Sequence, residues 1–202
     1  MRNIIFSLII LIILFLFDNS FSQPEGDRGW FWQNILPQGN MLNSITLADK
    51  NTCFTVGNNG TILKTTNMGQ NWININSEIS NHINDIHFID DKTGYIAGAE
   101  GLIAKTTNGG DIWFNLEIEF KEWLYSVSFI NYNTGFVAGE GGAVYKTTND
   151  GDSWNKYKSD LGVRLQSISF INNSTGYAVG GGLSSSCCAV VFKTTNRCQL
   201  AS

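Results

Sequence analysis

Arginine is scarce in this 202-residue chain: Arg2, Arg28, Arg164 and Arg197 are the only four, and the formal net charge is −4. An acidic, arginine-poor chain lacks the basic stripe that nucleic acid requires, so no nucleic-acid partner is expected. Cysteine is also sparse. Cys53, Cys187, Cys188 and Cys198 form no Cys-x-x-Cys pair, which argues against a zinc knuckle or a redox motif. The only two histidines, His82 and His87, lie in one stretch, with His87 in a polar strand slot, and make a poor metal-ligand set. No metal and no other cofactor is therefore expected. Proline occurs twice against 21 glycines, and Asn and Ser are plentiful between short apolar runs. That composition fits many short strands joined by turns.

One long apolar run is present, and it is N-terminal. Arg2 precedes the stretch from Ile4 to Phe17, and Ser20-Phe21-Ser22 supplies the small residues a signal peptidase prefers. The run is shorter than the ~18 to 20 apolar residues that span a bilayer. Residues 1–22 read as a cleaved signal peptide. The expected result is an exported chain (periplasmic, cell-surface or extracellular) without stable membrane insertion, whose fold begins at Gln23. In an exported protein the cysteines are free to pair, and the sequence leaves the pairing open.

The rest of the chain is organised by one frame. Lys64 to Trp72, Lys105 to Trp113 and Lys146 to Trp154 restate the same nine residues, and a fourth copy begins at Lys193 and then breaks off. Thr65, Thr106 and Thr147 are spaced by 41 residues, a fixed period that marks a repeat architecture. Within each copy Thr65 and Asn67, Thr106 and Asn108, and Thr147 and Asn149 carry side chains able to bond a tight turn. Gly69, Gly110 and Gly151 supply a backbone freedom that β-branched residues resist. Trp72, Trp113 and Trp154 then open the next apolar segment with a large surface to bury.

Superposing the units at that period shows Ile45, Ile86, Val127 and Ile168 in one slot and Leu47, Phe88, Phe129 and Phe170 two residues on, with polar residues between. Period two means a half-buried strand. A second strand ends at Gly57, Gly98, Gly139 and Gly180, a third runs into the Lys-Thr-Thr-Asn frame, and a fourth follows each Trp. Four strands in about 41 residues is the size of a β-propeller blade. The expected fold is an all-β propeller with domain limits 23–202 and units of about 42–77, 83–118, 124–159 and 165–196. Residues 30–36, with two tryptophans, read as an orphan fourth strand able to close a ring. The last unit is expected to have three strands. The count allows a closed four-blade ring or, as the favoured alternative, part of a larger propeller.

The frame resembles the Asp-box, or bacterial neuraminidase repeat, with Asn where the family usually has Asp. The flanking Thr-Gly-aromatic and Gly-x-x-Gly segments are most similar to the photosystem II assembly/stability factor-like propellers. The resemblance implies that the box is a scaffold element away from the ligand site. It also implies non-enzymatic binding of protein or glycan, although the acidic balance argues against a photosynthetic role. Sialidases with this repeat need three converging arginines and a Phe/Tyr-Arg-Ile-Pro motif, which is absent here. Glucanase-type relatives need two facing carboxylates. Glu100 and Glu140, in nearly equivalent turns, are the one candidate pair, and they leave a fragment of a propeller-type glycoside hydrolase as the alternative.

Propeller topology places the candidate binding face opposite the box turns, where second-to-third-strand turns and blade connections lie. Asn58, Asn59, Glu100, Trp123, Glu140 and Arg164 are its candidate residues. Trp123, without counterpart in the neighbouring units, reads either as an exposed aromatic contact or as a cap on the core. Residues 183–188 belong to an insertion in the fourth unit, read as a binding loop or a tolerated surface excursion. Lys64, Lys105, Lys146 and Lys193 recur once per unit and read as a basic row or, as the favoured alternative, as solvated strand ends.

Overall fold

Turn chemistry and alternating apolar residues produce sixteen short strands in a computed structural model, which describes residues 39–157, 162–181, 189–196 and 199–201. The signal segment, the strand expected at residues 30–36, the insertion at 183–188, and Cys187, Cys188 and Cys198 lie outside the described residues. The first blade comprises β1 (Leu42–Leu47), β2 (Cys53–Gly57), β3 (Ile62–Thr65) and β4 (Ile73–Asn74). The second holds β5 (Ile83–Phe88), β6 (Gly94–Gly98), β7 (Ile103–Thr106) and β8 (Phe114–Asn115). The third holds β9 (Leu124–Phe129), β10 (Gly135–Gly139), β11 (Val144–Thr147) and β12 (Asn155–Tyr157). The fourth holds β13 (Arg164–Phe170), β14 (Gly176–Gly181), β15 (Val190–Asn196) and β16 (Gln199–Ala201).

Each blade is a four-stranded antiparallel sheet in sequential order. The inner strands adjoin from blade to blade, β1 on β5, β5 on β9 and β9 on β13, so the blades fan about a common axis as a β-propeller. The fourth unit differs from expectation. It has four strands, because the chain continues past Asn196 and Gln199–Ala201 pairs with β15. The box turn is lost there, and β15 runs straight through the position where its predecessors turn.

Three cores lie between the blades. One face of each sheet, here the leading face, carries Phe54, Tyr95 or Phe136 and packs on the trailing face of the next blade, which carries Phe88, Phe129 or Phe170. The rings stack with centroids 4.5, 3.7 and 3.5 Å apart, an arrangement that adds to the area buried. Trp113 and Trp154 then close edge-on against Phe88 and Phe129 of their own blades. Among the described residues the two outermost faces have no such cover. Leu47 on the trailing face of the first blade is 68 % exposed, and Val191 on the leading face of the fourth is 74 % exposed.

Of the repeated lysines, Lys64 and Lys105 are not solvated ends, whereas Lys193 is exposed. Lys64, Lys105 and Lys146 lie over the rings of Phe54, Tyr95 and Phe136. Lys64 also reaches Asp111 at 2.7 Å, and Lys105 pairs with Asp150, in each case on the box turn of the following blade. The stems of all three cover core aromatics, and the charges of Lys64 and Lys105 bridge blades, which solvation of a strand end would not do.

Candidate functional site

The box turns form one rim of the propeller. Thr106 Oγ1 accepts a hydrogen bond from Gly110 N at 3.0 Å and donates to Asn108 Oδ1 at 2.9 Å, and Asn108 Oδ1 accepts from Ile112 N at 3.0 Å. Thr65 with Asn67 and Gly69, and Thr147 with Asn149 and Gly151, repeat this pattern. The three glycines have φ of 85°, 79° and 90°, so the left-handed turn explains the residue type. The indoles of Trp113 and Trp154 donate to the carbonyls of Gly110 and Gly151; Trp72 is half-buried in the corresponding place. Each box also bonds the first-to-second-strand turn of its own blade, as Gly109 N to Lys92 O at 2.9 Å. The Thr, Asn and Gly of each box are thus engaged in holding their own turn.

The opposite rim is built differently. Asn58, Asn59, Glu100 and Glu140 sit in the turns between second and third strands, and Trp123 and Arg164 sit where the chain enters an inner strand. The backbone fixes these entries. The carbonyls of Met41, His82 and Trp123 accept from the amides of Asn58, Ala99 and Glu140 at 2.8 to 2.9 Å. A Cβ on Gly57, Gly98, Gly139 or Gly180 would come within 2.0 to 2.2 Å of the carbonyl oxygen of Met41, His82, Trp123 or Arg164. This close approach explains the glycine that ends the second strand in the first three blades and stands next to its end in the fourth.

The backbone position of Trp123 recurs in the other blades, although its indole does not. Met41, His82, Trp123 and Arg164 share one slot at the 41-residue period, with four different side chains on one backbone geometry. Trp123 is 39 % exposed, which favours the contact reading over the core cap. Its ring stands 6.0 Å from His82 and 6.4 Å from Tyr125, and the Arg164 guanidinium lies 4.7 Å over Tyr125. Arg164 Nε is buried without a hydrogen-bond acceptor among the described residues. His82 Nδ1 accepts from Asn59 N at 3.2 Å, and Asn81 Nδ2 donates to Glu100 at 3.3 Å.

Tyr125 was not among the residues singled out from sequence. It occupies a bulge that recurs at the start of each inner strand, where the register slips at residues 43, 84, 125 and 166. A bulge re-aims one side chain. Asn43 and Asn84 use it to donate across to the carbonyls of Ile83 and Leu124 on the next blade, at 2.8 and 2.7 Å. Tyr125 cannot make that bond and stacks with Arg164 instead. Burial pushes its phenol pKa up, against the opposing pull of Arg164. The signal was available: Ile83 and Ile86, like Leu124 and Val127, are apolar at a spacing of three, which breaks strict alternation.

Glu100 and Glu140 are not equivalent. Glu100 takes the left-handed position of its turn at φ 58°, which Gly141 takes in the third blade, so Glu140 stands one residue out of phase. Glu122, in the connection between the second and third blades, is the most strongly shifted carboxylate of those described. Desolvation would raise its pKa, but bonds from Lys156 Nζ at 2.6 Å and Tyr145 Oη at 2.9 Å outweigh this and hold it at about 2. Among the described residues no group of three His, Cys, Asp or Glu side chains is placed to hold a metal ion.

Comparison with known proteins bears on this geometry. The family model described as photosynthesis system II assembly factor YCF48 matches residues 24–113 and 67–165. A search of the curated proteins returned no match. Among solved structures, YCF48 bound to a D1 peptide superposes with a TM-score of 0.56 at 16 % identity, covering 83 % of this chain and 71 % of that one. YCF48 from Cyanidioschyzon merolae gives 0.55 at 14 % identity, with 80 % and 84 % covered. The GH74 enzyme of Niastella koreensis gives 0.60 at 17 % identity, over 75 % of this chain and 28 % of the enzyme. At these identities the likeness is one of fold.

Proposed function

The chain belongs to the photosynthesis system II assembly factor YCF48 family, and from that membership we propose that it is a non-catalytic, exported scaffold whose glycine-ended rim binds a segment of another protein. The observation that carries this reading is the slot shared by Met41, His82, Trp123 and Arg164. A constant backbone presents a different side chain from each blade, and the half-exposed indole and the arginine are residue types that dominate binding energy. Arg164 Nε, buried without an acceptor among the described residues, suits an acceptor group arriving with a ligand. A solved relative, YCF48, is bound to a D1 peptide, which supports a peptide as the partner class. Net charge of −4 and four arginines in all argue that the partner here is not a photosynthetic one. Export rests on the apolar segment before residue 23.

Screening the intact chain against displayed peptide libraries and a glycan array tests the proposal. Peptide capture that falls roughly tenfold or more in Trp123→Ala and in Arg164→Ala is expected, since truncating an anchor of this type costs more than ~1.4 kcal/mol. Capture by glycans alone would move the partner to the other class. A second reading, a fragment of a propeller-type glycoside hydrolase, is favoured by the fold likeness to GH74 enzymes and by the presence of Glu100 and Glu140 on the same rim. Turnover of xyloglucan abolished by Glu100→Gln or Glu140→Gln would establish it and defeat the scaffold.

A further inference from the structure

We propose that the seam between the second and third blades carries a separate binding site, a groove for an extended segment of another protein that bears lysine or arginine. The chain crosses this seam as a strap, residues 116–122, which leaves β8 and enters β9. Its residues alternate, with one bend at Glu119. Leu116, Ile118 and Phe120 turn onto the core shared by the two blades, where Phe120 stacks on Tyr145 at 3.6 Å, while Glu117, Glu119 and Lys121 stay exposed. Such alternation belongs to a strand, yet the strap pairs with none. Leu116 N donates to Ile103 O and the Glu122 carbonyl accepts from Gly101 N; between them the strap makes no backbone hydrogen bond among the described residues.

A groove lies on each side of the strap. One, of 860 Å³, separates it from the outer edge of the third blade and is walled by Tyr145, Trp154 and Lys156. The other, of 540 Å³, opens toward Glu100 and Asn115 of the second blade. Glu117, Ile118 and Lys121 line both, so the two run together around the strap. Each volume is in the range that holds a ligand, and together they reach from Glu100 on the glycine-ended rim to Asp152 in a box turn. That length suits an extended chain, and the strap's unpaired amides and carbonyls suit one that adds as a strand. The site meets the glycine-ended rim at Asn81 and Glu100 and does not rest on the reading given to that rim.

Charge selects the occupant. Glu122 is satisfied by Lys156 and Tyr145. Glu100, Glu117, Glu119 and Asp152 then stand against Lys121, and none of these is in an ion pair among the described residues. The first seam shows that this acidic excess is no part of the repeated frame. There Asn59 and Asn76 hold the places of Glu100 and Glu117, and Glu78, in the place of Glu119, takes a left-handed turn at φ 58°. The Ser77 hydroxyl, where the strap has Ile118, donates to Gly60 O and accepts from Ile79 N. Asp111 takes Lys64 in that seam, whereas in the second Lys105 goes to Asp150 and leaves Asp152, in the slot of Asp111, without a cation. A basic segment supplies the missing cations, its aliphatic stems lying on Ile118 and Trp154.

Titration calorimetry of the full chain with end-blocked alternating Lys-Thr and Glu-Thr decapeptides tests the proposal. At low salt, where exposed charges are least screened, the Lys-Thr peptide is expected to bind and the Glu-Thr peptide is not. Glu117→Gln/Glu119→Gln is expected to weaken binding roughly fivefold or more, and Glu78→Gln/Asp91→Asn, which removes two exposed charges elsewhere, to change it by less than about twofold. Amide exchange at residues 117–121 is expected to slow when the peptide is bound. No binding of the Lys-Thr peptide overturns the proposal outright. Equal losses in the two variants, with circular dichroism unchanged, would reduce the effect to net charge and overturn the site, as would strap exchange that the peptide leaves unaltered. Spermine binding as tightly as the peptide would overturn an extended segment as the occupant, since it carries the charge without a backbone to pair.

Discussion

At the scale of single residues, the same threonine does opposite things in two copies of the frame. Thr106 is fully buried and its hydroxyl holds Gly110 N and Asn108. Thr194 is equally buried, but its hydroxyl has no partner among the described residues, because the Thr-x-Asn-x-Gly frame that would supply one is missing from the sequence. Thr106→Val strands a buried amide and should cost about 1–3 kcal/mol, whereas Thr194→Val removes an unsatisfied group and should be neutral or stabilising. Thermal unfolding of both variants checks the contrast; equal losses would show that the hydroxyls are not what matters. Glu122 gives a pH signature. Its pKa is about 2 in the fold against an ordinary value of 4.5, so its contribution is complete above about pH 4.5 and fades as pH falls toward 2. The Tm difference between wild type and Glu122→Gln should therefore shrink as pH is lowered through that window, and a difference constant from pH 7 to pH 3 would contradict it.

At the scale of elements, the bulge and the strand-ending glycine together define the candidate site. Gly139→Ala would place a methyl about 2.1 Å from the Trp123 carbonyl, so the inner-strand entry must shift. A loss of roughly 2 kcal/mol or more is expected in denaturant unfolding, as for other backbone incompatibilities. Tyr125→Asn tests the bulge from the other side. It should restore the inter-blade bond that Asn43 and Asn84 make, leave stability unchanged or raised, and withdraw the ring on which Arg164 rests. Peptide capture that drops while Tm holds would separate a binding role for Tyr125 from a structural one. The strand repeats were legible from period-two alternation, yet the bulge was not extracted, because its mark is a single apolar residue three positions ahead of the alternating set. The lysine bridges were not legible at all. Lys64 and Asp111 are 47 residues apart, and only blade stacking brings them to 2.7 Å.

At the scale of the whole molecule, inter-blade cohesion combines stacked aromatics with a polar seam around the axis. Asp85 accepts from Ser44 Oγ at 2.7 Å on the blade before it, and from Ser126 Oγ at 3.0 Å and Val127 N at 2.9 Å on the blade after it. Ser126 Oγ in turn accepts from Ile168 N at 3.2 Å on the fourth blade. One carboxylate therefore ties three blades, and its loss leaves several partly buried donors unpaired. Asp85→Ala should speed amide exchange in β1, β5 and β9 together rather than in β5 alone, a result that hydrogen exchange resolves by segment.

The repeat, the blade and the box turn were decided by the sequence alone, since each rests on local chemistry: a period of 41, alternation of two, and a Thr-x-Asn-x-Gly turn that bonds to itself. The identities of neighbours were decided only by tertiary structure. Stacking the sheets laid the Arg164 guanidinium over Tyr125 and brought Lys64 and Lys105 to the aspartates of the following blade. It also continued the fourth sheet through Gln199–Ala201 where no box remained to signal a strand. These outcomes depend on which residues meet across blades, some forty positions apart, and a pattern read along the chain has no term for that distance.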